Sequence, residues 1–380
     1  MLRYRLSGAD SIPCNRRHPV LEHRPLPLLP ALLAALLLCS AAEANDSAFG
    51  GRGSELIPLK ETRIQMTSED IVMTLKGSTW HIDATYVFTN PTDKPVTLQM
   101  GFPEEHCGEE QECMQGAGIF KGLVTRVRGE AVKQTVGQVD RKHEWAPELG
   151  RVYLYTVRFK PKEVVTIHHA YHHPTNTGID GIWIDYVTRT GSLWNGPIGK
   201  ARFTVRTPTR PWRASWPETF TLRSYVERPT GKPGEGQTEF VFEMADWTPR
   251  VDFTLMLLSG MNGPNHGCPM YDTMMVDPKN LKAEIAGQLK ELTAAQLRVC
   301  RNLPYARHGY RFKDAKLNAT FYAASKSGAG FAHGADPRSK ERWTWQAFQV
   351  NPHFKPSLLT PTEQRYIQLI KAEEGRRAKP

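Results

Sequence analysis

From about Glu55 to Ser259 apolar and polar positions alternate with a period of two. Trp80, Ile82, Ala84, Tyr86 and Phe88 fall on one face of an extended segment, and His81, Asp83 and Thr85 fall on the other. The turn Asn90-Pro91-Thr92-Asp93-Lys94-Pro95 follows, and then Val96, Leu98 and Met100 alternate with Thr97 and Gln99. These two segments read as a hairpin-like pair of half-buried strands. Tyr153, Tyr155, Val157 and Phe159 repeat the pattern, ahead of a Lys160-Pro161-Lys162 turn and a further strand from Val164. Segments 182–187, 201–205, 240–244 and 251–257 continue it. Many short strands, Gly/Pro turns and no interleaved helices predict a β-rich first domain, an antiparallel sandwich over residues 45–270.

Beyond Pro278 the period lengthens. Leu281, Ile285, Leu289 and Leu292 mark one face of a helix, and Thr293-Ala294-Ala295-Gln296 reads as a capping box that opens a second. Thr360-Pro361-Thr362-Glu363 is a stronger helix start: an N-cap Thr, Pro at the first helical position and Glu three residues after the cap. Tyr366, Ile367 and Ile370 supply its apolar stripe. A small, mainly α second domain over residues 278–380 is expected, with a Gly/Ser-rich surface loop from Ser325 to Lys340.

The first 44 residues do not fit either pattern. Arginines at 3, 5, 16, 17 and 24 precede an apolar run from Leu28 to Leu38, and Ala42-Glu43-Ala44 follows. This is the order of a secretory signal, and the apolar run is too short for a comfortable membrane span. A periplasmic or extracellular location after cleavage is expected, with no transmembrane span in the mature chain. Cys14 and Cys39 leave with the signal, so the mature cysteines are Cys107, Cys113, Cys268 and Cys300. An even count in an exported chain suggests two disulfides, with Cys107–Cys113 and Cys268–Cys300 the most direct pairing of three possible ones. The net charge of +10 falls to +8 without the signal. Outside the cytoplasm that surplus either serves solubility, the more ordinary reading, or points to peptidoglycan, another anionic envelope polymer or phospholipid headgroups as partners, not to nucleic acid.

Tyr305-Ala306-Arg307-His308-Gly309 is the signature of the YARHG domain family, and the chain resembles that family over residues 290–375. Arg301-Asn302 before the signature, Tyr310 and Phe312 after it, and the stretch from Asn351-Pro352-His353-Phe354 to Glu363, Ile367 and Glu373 share the resemblance. Pro304 departs from it and predicts a bend or restart in the helix. Residues 44–270 resemble a second exported bacterial family, known only as a domain of unknown function. The similarity is carried by Ala44-Asn45-Asp46-Ser47-Ala48, Tyr86-Val87-Phe88-Thr89-Asn90, Gly101-Phe102-Pro103 and Trp194-Asn195-Gly196-Pro197-Ile198-Gly199. The resemblances imply export and an envelope setting, and bring no established activity.

Within the signature, Gly309 has the chemistry to end a helix in the left-handed conformation, with Tyr310 and Phe312 packing back. Alternatively Arg301, Tyr305, Arg307 and His308 line a groove for an anion or glycan. His168, His169, His172 and His173 form the richest metal-like cluster, but a strand sends His169 and His173 to one face and His168 and His172 to the other, below the three or four ligands zinc needs. Glu104, Glu105, Glu109, Glu110 and Glu112 suggest calcium without matching a known loop spacing. Trp194 beside Gly196 and Gly199 suggests either a sugar-stacking platform or a buried core residue. There is no G-x-S-x-G elbow, phosphate-binding glycine loop or C-x-x-C pair. The chain therefore reads as a non-catalytic binding or scaffolding protein of the cell envelope with no cofactor. The alternatives are a secreted hydrolase or metal-dependent enzyme using zinc or calcium on the sandwich loops, and an assembly factor that contacts envelope proteins.

Overall fold

A computed structural model of the chain describes residues 47–50, 57–105, 119–139, 149–178, 181–208, 210–211, 213–258, 266–269, 279–322, 343–346 and 348–378. The expected signal, the Cys107–Cys113 pair, the acidic residues beyond Glu105 and the Gly/Ser-rich loop lie outside the described residues. The strands, numbered along the chain, form three sheets.

The longest sheet runs in the order β15 (Leu222–Pro229), β16 (Gly236–Trp247), β13 (Ile198–Thr207), β3 (Gln65–Lys76), β4 (Thr79–Thr89), β10 (Val164–Pro174), β6 (Lys121–Val127), β7 (Glu130–Ala131). A second sheet runs β2 (Ile57–Leu59), β1 (Ser47–Gly50), β5 (Val96–Glu105), β9 (Leu149–Phe159), β8 (Thr135–Gln138). The third runs β11 (Asn176–Gly178), β12 (Gly181–Tyr186), β17 (Phe253–Leu258), β14 (Arg213–Pro217), β18 (Trp343–Gln346). The second sheet covers the β4–β10 half of the long one, through pairs such as Phe88 with Phe159 and Phe102 with Tyr171. The third covers the β13–β16 half, where Phe253 stacks on Phe203 at 5.0 Å and Trp216 meets Phe242. One continuous apolar core unites all three.

The sandwich departs from the expected topology in two ways. β4 and β5 do not form a hairpin: β4 pairs with β3 and β10, whereas β5 pairs with β1 and β9 in the facing sheet. The turn at 90–95 is therefore a corner between layers, and the turn at 160–162 from β9 to β10 is a second corner beside it. The two corners are bonded to each other: Asn90 N–H donates to Glu163 O at 2.9 Å, Lys162 N–H donates to Thr92 O at 3.1 Å, and the Asn90 amide donates to Lys160 O at 2.9 Å. Alternation states which face of a strand is buried, but both a hairpin and a corner satisfy it. The second departure is that β13 and β3 pair in parallel inside an otherwise antiparallel sheet.

Helices α1 (Leu281–Glu291), α2 (Ala294–Arg307), α3 (Ala315–Tyr322) and α4 (Pro361–Arg377) build a separate apolar cluster. Both expected capping boxes are present, Thr293 with Gln296 and Thr360 with Glu363. At Pro304 the helix does not restart: α2 continues through it to Arg307, the proline forfeiting one helical hydrogen bond in its last turn. Cys268 and Cys300 form a disulfide that anchors the incoming chain to α2. β18, which follows α3 in the chain, returns to pair with β14 of the sandwich. Among the described residues no helix is long and apolar enough to cross a membrane.

Candidate functional site

The YARHG signature sits at the C-terminus of α2. Gly309 N–H donates to Ala306 O and Tyr310 N–H to Tyr305 O, both at 2.9 Å, closing the helix with Gly309 at φ +80°. A glycine is required there for a second reason: a Cβ would stand 2.5 Å from Asn351 N and 2.6 Å from Gln349 O. This turn aims Arg307 and His308 inward, where both are buried.

Their partners come from three other elements. His308 Nδ1 lies 2.8 Å from Glu227 Oε2 on β15, and its Nε2 lies 2.9 Å from Glu363 Oε2 on α4. Arg307 donates to Glu363 Oε1 at 3.2 Å and to the carbonyl of Arg210 at 3.0 Å. Arg210, itself fully buried, donates to Tyr225 Oη and Gln349 O and stacks over the Tyr225 ring at 4.5 Å. Glu363 also closes its own capping box, accepting from Thr360 N–H at 2.8 Å. One carboxylate thus starts α4 and holds both cations at the end of α2. Asn351 adds a backbone bond to Gly309 O and an amide bond to Glu227 O.

Carboxylate oxygens only accept, so an imidazole with both nitrogens on carboxylates must donate from both and is an imidazolium. Burial opposes that charge, but the charge of Glu363 and the hydrogen bonds from Glu227 and Glu363 prevail and raise His308 to about 9. Burial also opposes the charge on Glu363, and His308 with Arg307 overcomes it, lowering that carboxyl to about 2. The cluster is a buried charge network between the sandwich and the helices: the two signature cations face Glu227 and Glu363, and Arg210 is held by neutral acceptors. Arg301 and Tyr305 do not join it: Arg301 pairs with Glu374 at 2.5 Å, further along α4 from Glu363, and Tyr305 packs edge-on against Tyr310. The four signature-region residues therefore do not line one groove.

The histidine run lies on β10 and alternates. His169 is fully buried, stacks on Phe102 at 4.1 Å and shares a 2.7 Å hydrogen bond with Thr125. His173 is buried too, with Nδ1–H donating to Pro174 O at 2.6 Å; burial holds it below the ordinary imidazole value. Phe102, Phe120, Tyr171, His173 and Tyr186 line a small aromatic cavity there. On the outer face His168 pairs with Asp83 at 3.1 Å, and His172 lies against His81. Among the described residues no three His, Cys, Asp or Glu side chains converge as a metal would require. Glu104 is occupied structurally, accepting from Phe120 N–H at 2.7 Å and Tyr153 Oη at 3.1 Å, with burial raising its carboxyl. Trp194 is buried against Phe88, so it offers no sugar-stacking platform.

The family described as the YARHG domain matches residues 273–331, and the domain of unknown function DUF4424 matches residues 44–144. This chain carries a YARHG domain behind a DUF4424 domain. No curated protein matches it. Among solved structures, a candidate nutrient-binding protein from Legionella pneumophila aligns at 20% identity and TM-score 0.43, over 87% of this chain and 100% of its own. An M1 zinc metallopeptidase from Deinococcus radiodurans aligns at 14% identity and TM-score 0.28, over 54% of this chain and 44% of its own.

The helical C-terminal region also concentrates the positive charge. Residues 279–380 hold nineteen Lys or Arg against eight Asp or Glu, whereas residues 45–278 hold twenty-five against twenty-eight. Arg311, Lys313, Lys316, Lys355, Arg365 and Lys371 are exposed and have no ion-pair partner among the described residues. Neither Glu227 nor Arg210 was singled out from the sequence. The available signal for Glu227 was its parity with Tyr225, which puts a carboxylate on the inward face of a strand.

Proposed function

We propose that this is a non-catalytic, exported envelope protein whose helical module binds an anionic envelope polymer, peptidoglycan in the first instance. The contact surface is the basic exterior of that module, and the YARHG signature is the brace that holds it against the sandwich. The observation that carries this is the division of cations: those of the signature are buried on Glu227 and Glu363, while Arg311, Lys313 and Lys316 are exposed and have no ion-pair partner among the described residues of the same domain. Solvated, unneutralised charge of one sign is what steers and holds an anionic polymer. Export is supported by the leader sequence and by the Cys268–Cys300 disulfide, a bond that persists in oxidising compartments. In this reading residues 45–270 and 278–380 act as one rigid body.

The test is co-sedimentation of the purified protein with peptidoglycan sacculi at low and moderate salt. Saturable binding is expected, weakened by salt, and lost in the triple variant Arg311→Glu, Lys313→Glu, Lys316→Glu with its fold intact by circular dichroism. Absence of binding by the unmodified protein, or equal binding by the triple variant, overturns the reading.

A further inference from the structure

β4 and β10 are antiparallel neighbours in which His172 stands directly opposite His81. Their rings face each other at 4.3 Å between centroids, tilted by 56°. Both project from the face of the long sheet turned away from the core, because Ile82 and Tyr171, the neighbours of opposite parity, are buried. The run of four histidines on β10 thus conceals a pairing that crosses strands. Its second member lies ninety-one positions earlier in the sequence, and the antiparallel register alone brings it alongside.

From this juxtaposition we infer a binding site for a divalent transition metal, held by the imidazoles of His81 and His172. Imidazole nitrogen suits copper, nickel and zinc, and affinity at such ligands peaks at copper. Two rings in contact across rigid, paired strands are pre-organised to chelate one ion, since neither strand has to move to bring them together. Asp83, two residues along β4 on the same face, is engaged with His168 at 3.1 Å and is not counted as a ligand, so the protein contributes the two imidazoles alone. The remaining positions belong to water, which makes this an open, exchangeable site and not a structural zinc site with four protein ligands. The groups that flank the pair are Thr74, opposite His81 on β3, and Lys121, opposite His172 on β6, with Lys76 nearby on β3. The two lysines oppose a dication and limit its affinity. His169 and His173, on the inner face, take no part.

The test is titration of the untagged protein with copper(II) and with zinc(II) by calorimetry, with electron paramagnetic resonance of the copper form. One equivalent is expected to bind, copper more tightly, with nitrogen hyperfine structure in the spectrum. His81→Ala and His172→Ala should each weaken binding by about tenfold or more, as the loss of one of two imidazoles requires. His168→Ala should leave binding unchanged, because its ring faces Asp83 and not the His81–His172 pair. Both paired residues reach solvent, so these variants are expected to retain the fold, and thermal unfolding without metal checks that. No stoichiometric binding, affinity unchanged in His172→Ala, or equal loss in His168→Ala overturns the inference.

Discussion

Two clusters of chemically suggestive residues lie in this chain, and the fold treats them in opposite ways. The signature at the end of α2 gathers partners from β15, α4 and the Arg210 segment until Arg307 and His308 each face a carboxylate. The histidine run on β10 is dispersed, two rings into the core and two towards solvent. The difference follows from local geometry. A helix terminus closed by a left-handed glycine turns the chain and delivers consecutive side chains to one place, whereas a strand sends consecutive side chains to opposite faces. Adjacency in sequence therefore means convergence at the first cluster and separation at the second.

The comparison breaks most sharply at the clamp. His308→Ala leaves Glu227 and Glu363 buried without their shared cation, and a stability loss of about 3–5 kcal/mol is expected from chemical unfolding. Gly309→Ala should fall in the same class, because its Cβ meets backbone atoms of Asn351 and Gln349 that cannot move aside cheaply. The pH dependence has a definite sign. His308 gains proton affinity on folding, so its contribution is complete below its ordinary 6.5 and fades as pH rises through about 9. Glu363 loses proton affinity, so its contribution is complete above its ordinary 4.5 and fades as pH falls towards about 2. Stability of the unmodified protein relative to His308→Ala should be greatest between these limits and narrow above pH 9.

The disulfide gives the next effect. Cys268 and Cys300 close a loop of 32 residues, and Cys268→Ser with Cys300→Ser should cost about 3–4 kcal/mol by the chain-entropy account. A loss concentrated in the helices, read by protease sensitivity near α2, would show that the clamp holds the sandwich side independently. On β10 the inner face ranks below this: His169→Ala removes a ring stacked on Phe102 and a hydrogen bond to Thr125, for about 3 kcal/mol.

How far these clusters were legible depends on what pattern alone carries. Alternation identified the strands and their buried faces, and capping residues identified the starts of α2 and α4, since both are properties of neighbours in sequence. Pairing is not such a property. The corner at 90–95 passed for a hairpin because Val96, Leu98 and Met100 alternate equally well in either sheet, and the parallel β13–β3 contact joins strands more than a hundred residues apart. The same limit governs the sites. Glu363 and His308 were each visible, one as a cap and one in a signature. Their convergence depends on Glu227, 81 residues before His308, placed on an inward strand position. His81 was assigned correctly to the polar face of its strand, but its pairing with His172 exists only in the register of β4 against β10.

The smallest effect sharpens the comparison by the contrast within one strand. His168 and His172 alternate with His169 along β10, so all three share backbone environment, strand propensity and sheet position. They differ in what surrounds the ring. His172→Ala and His168→Ala remove imidazoles that reach solvent, and the 3.1 Å contact of His168 with exposed Asp83 is of the kind that contributes little in water. Without metal, each should change stability by no more than about 0.5 kcal/mol, against about 3 kcal/mol for His169→Ala. Comparable losses at all three positions would mean that the outer face of the β4–β10 pair is covered in solution. The alternation of the strand would then no longer account for the way the two histidine pairs are divided.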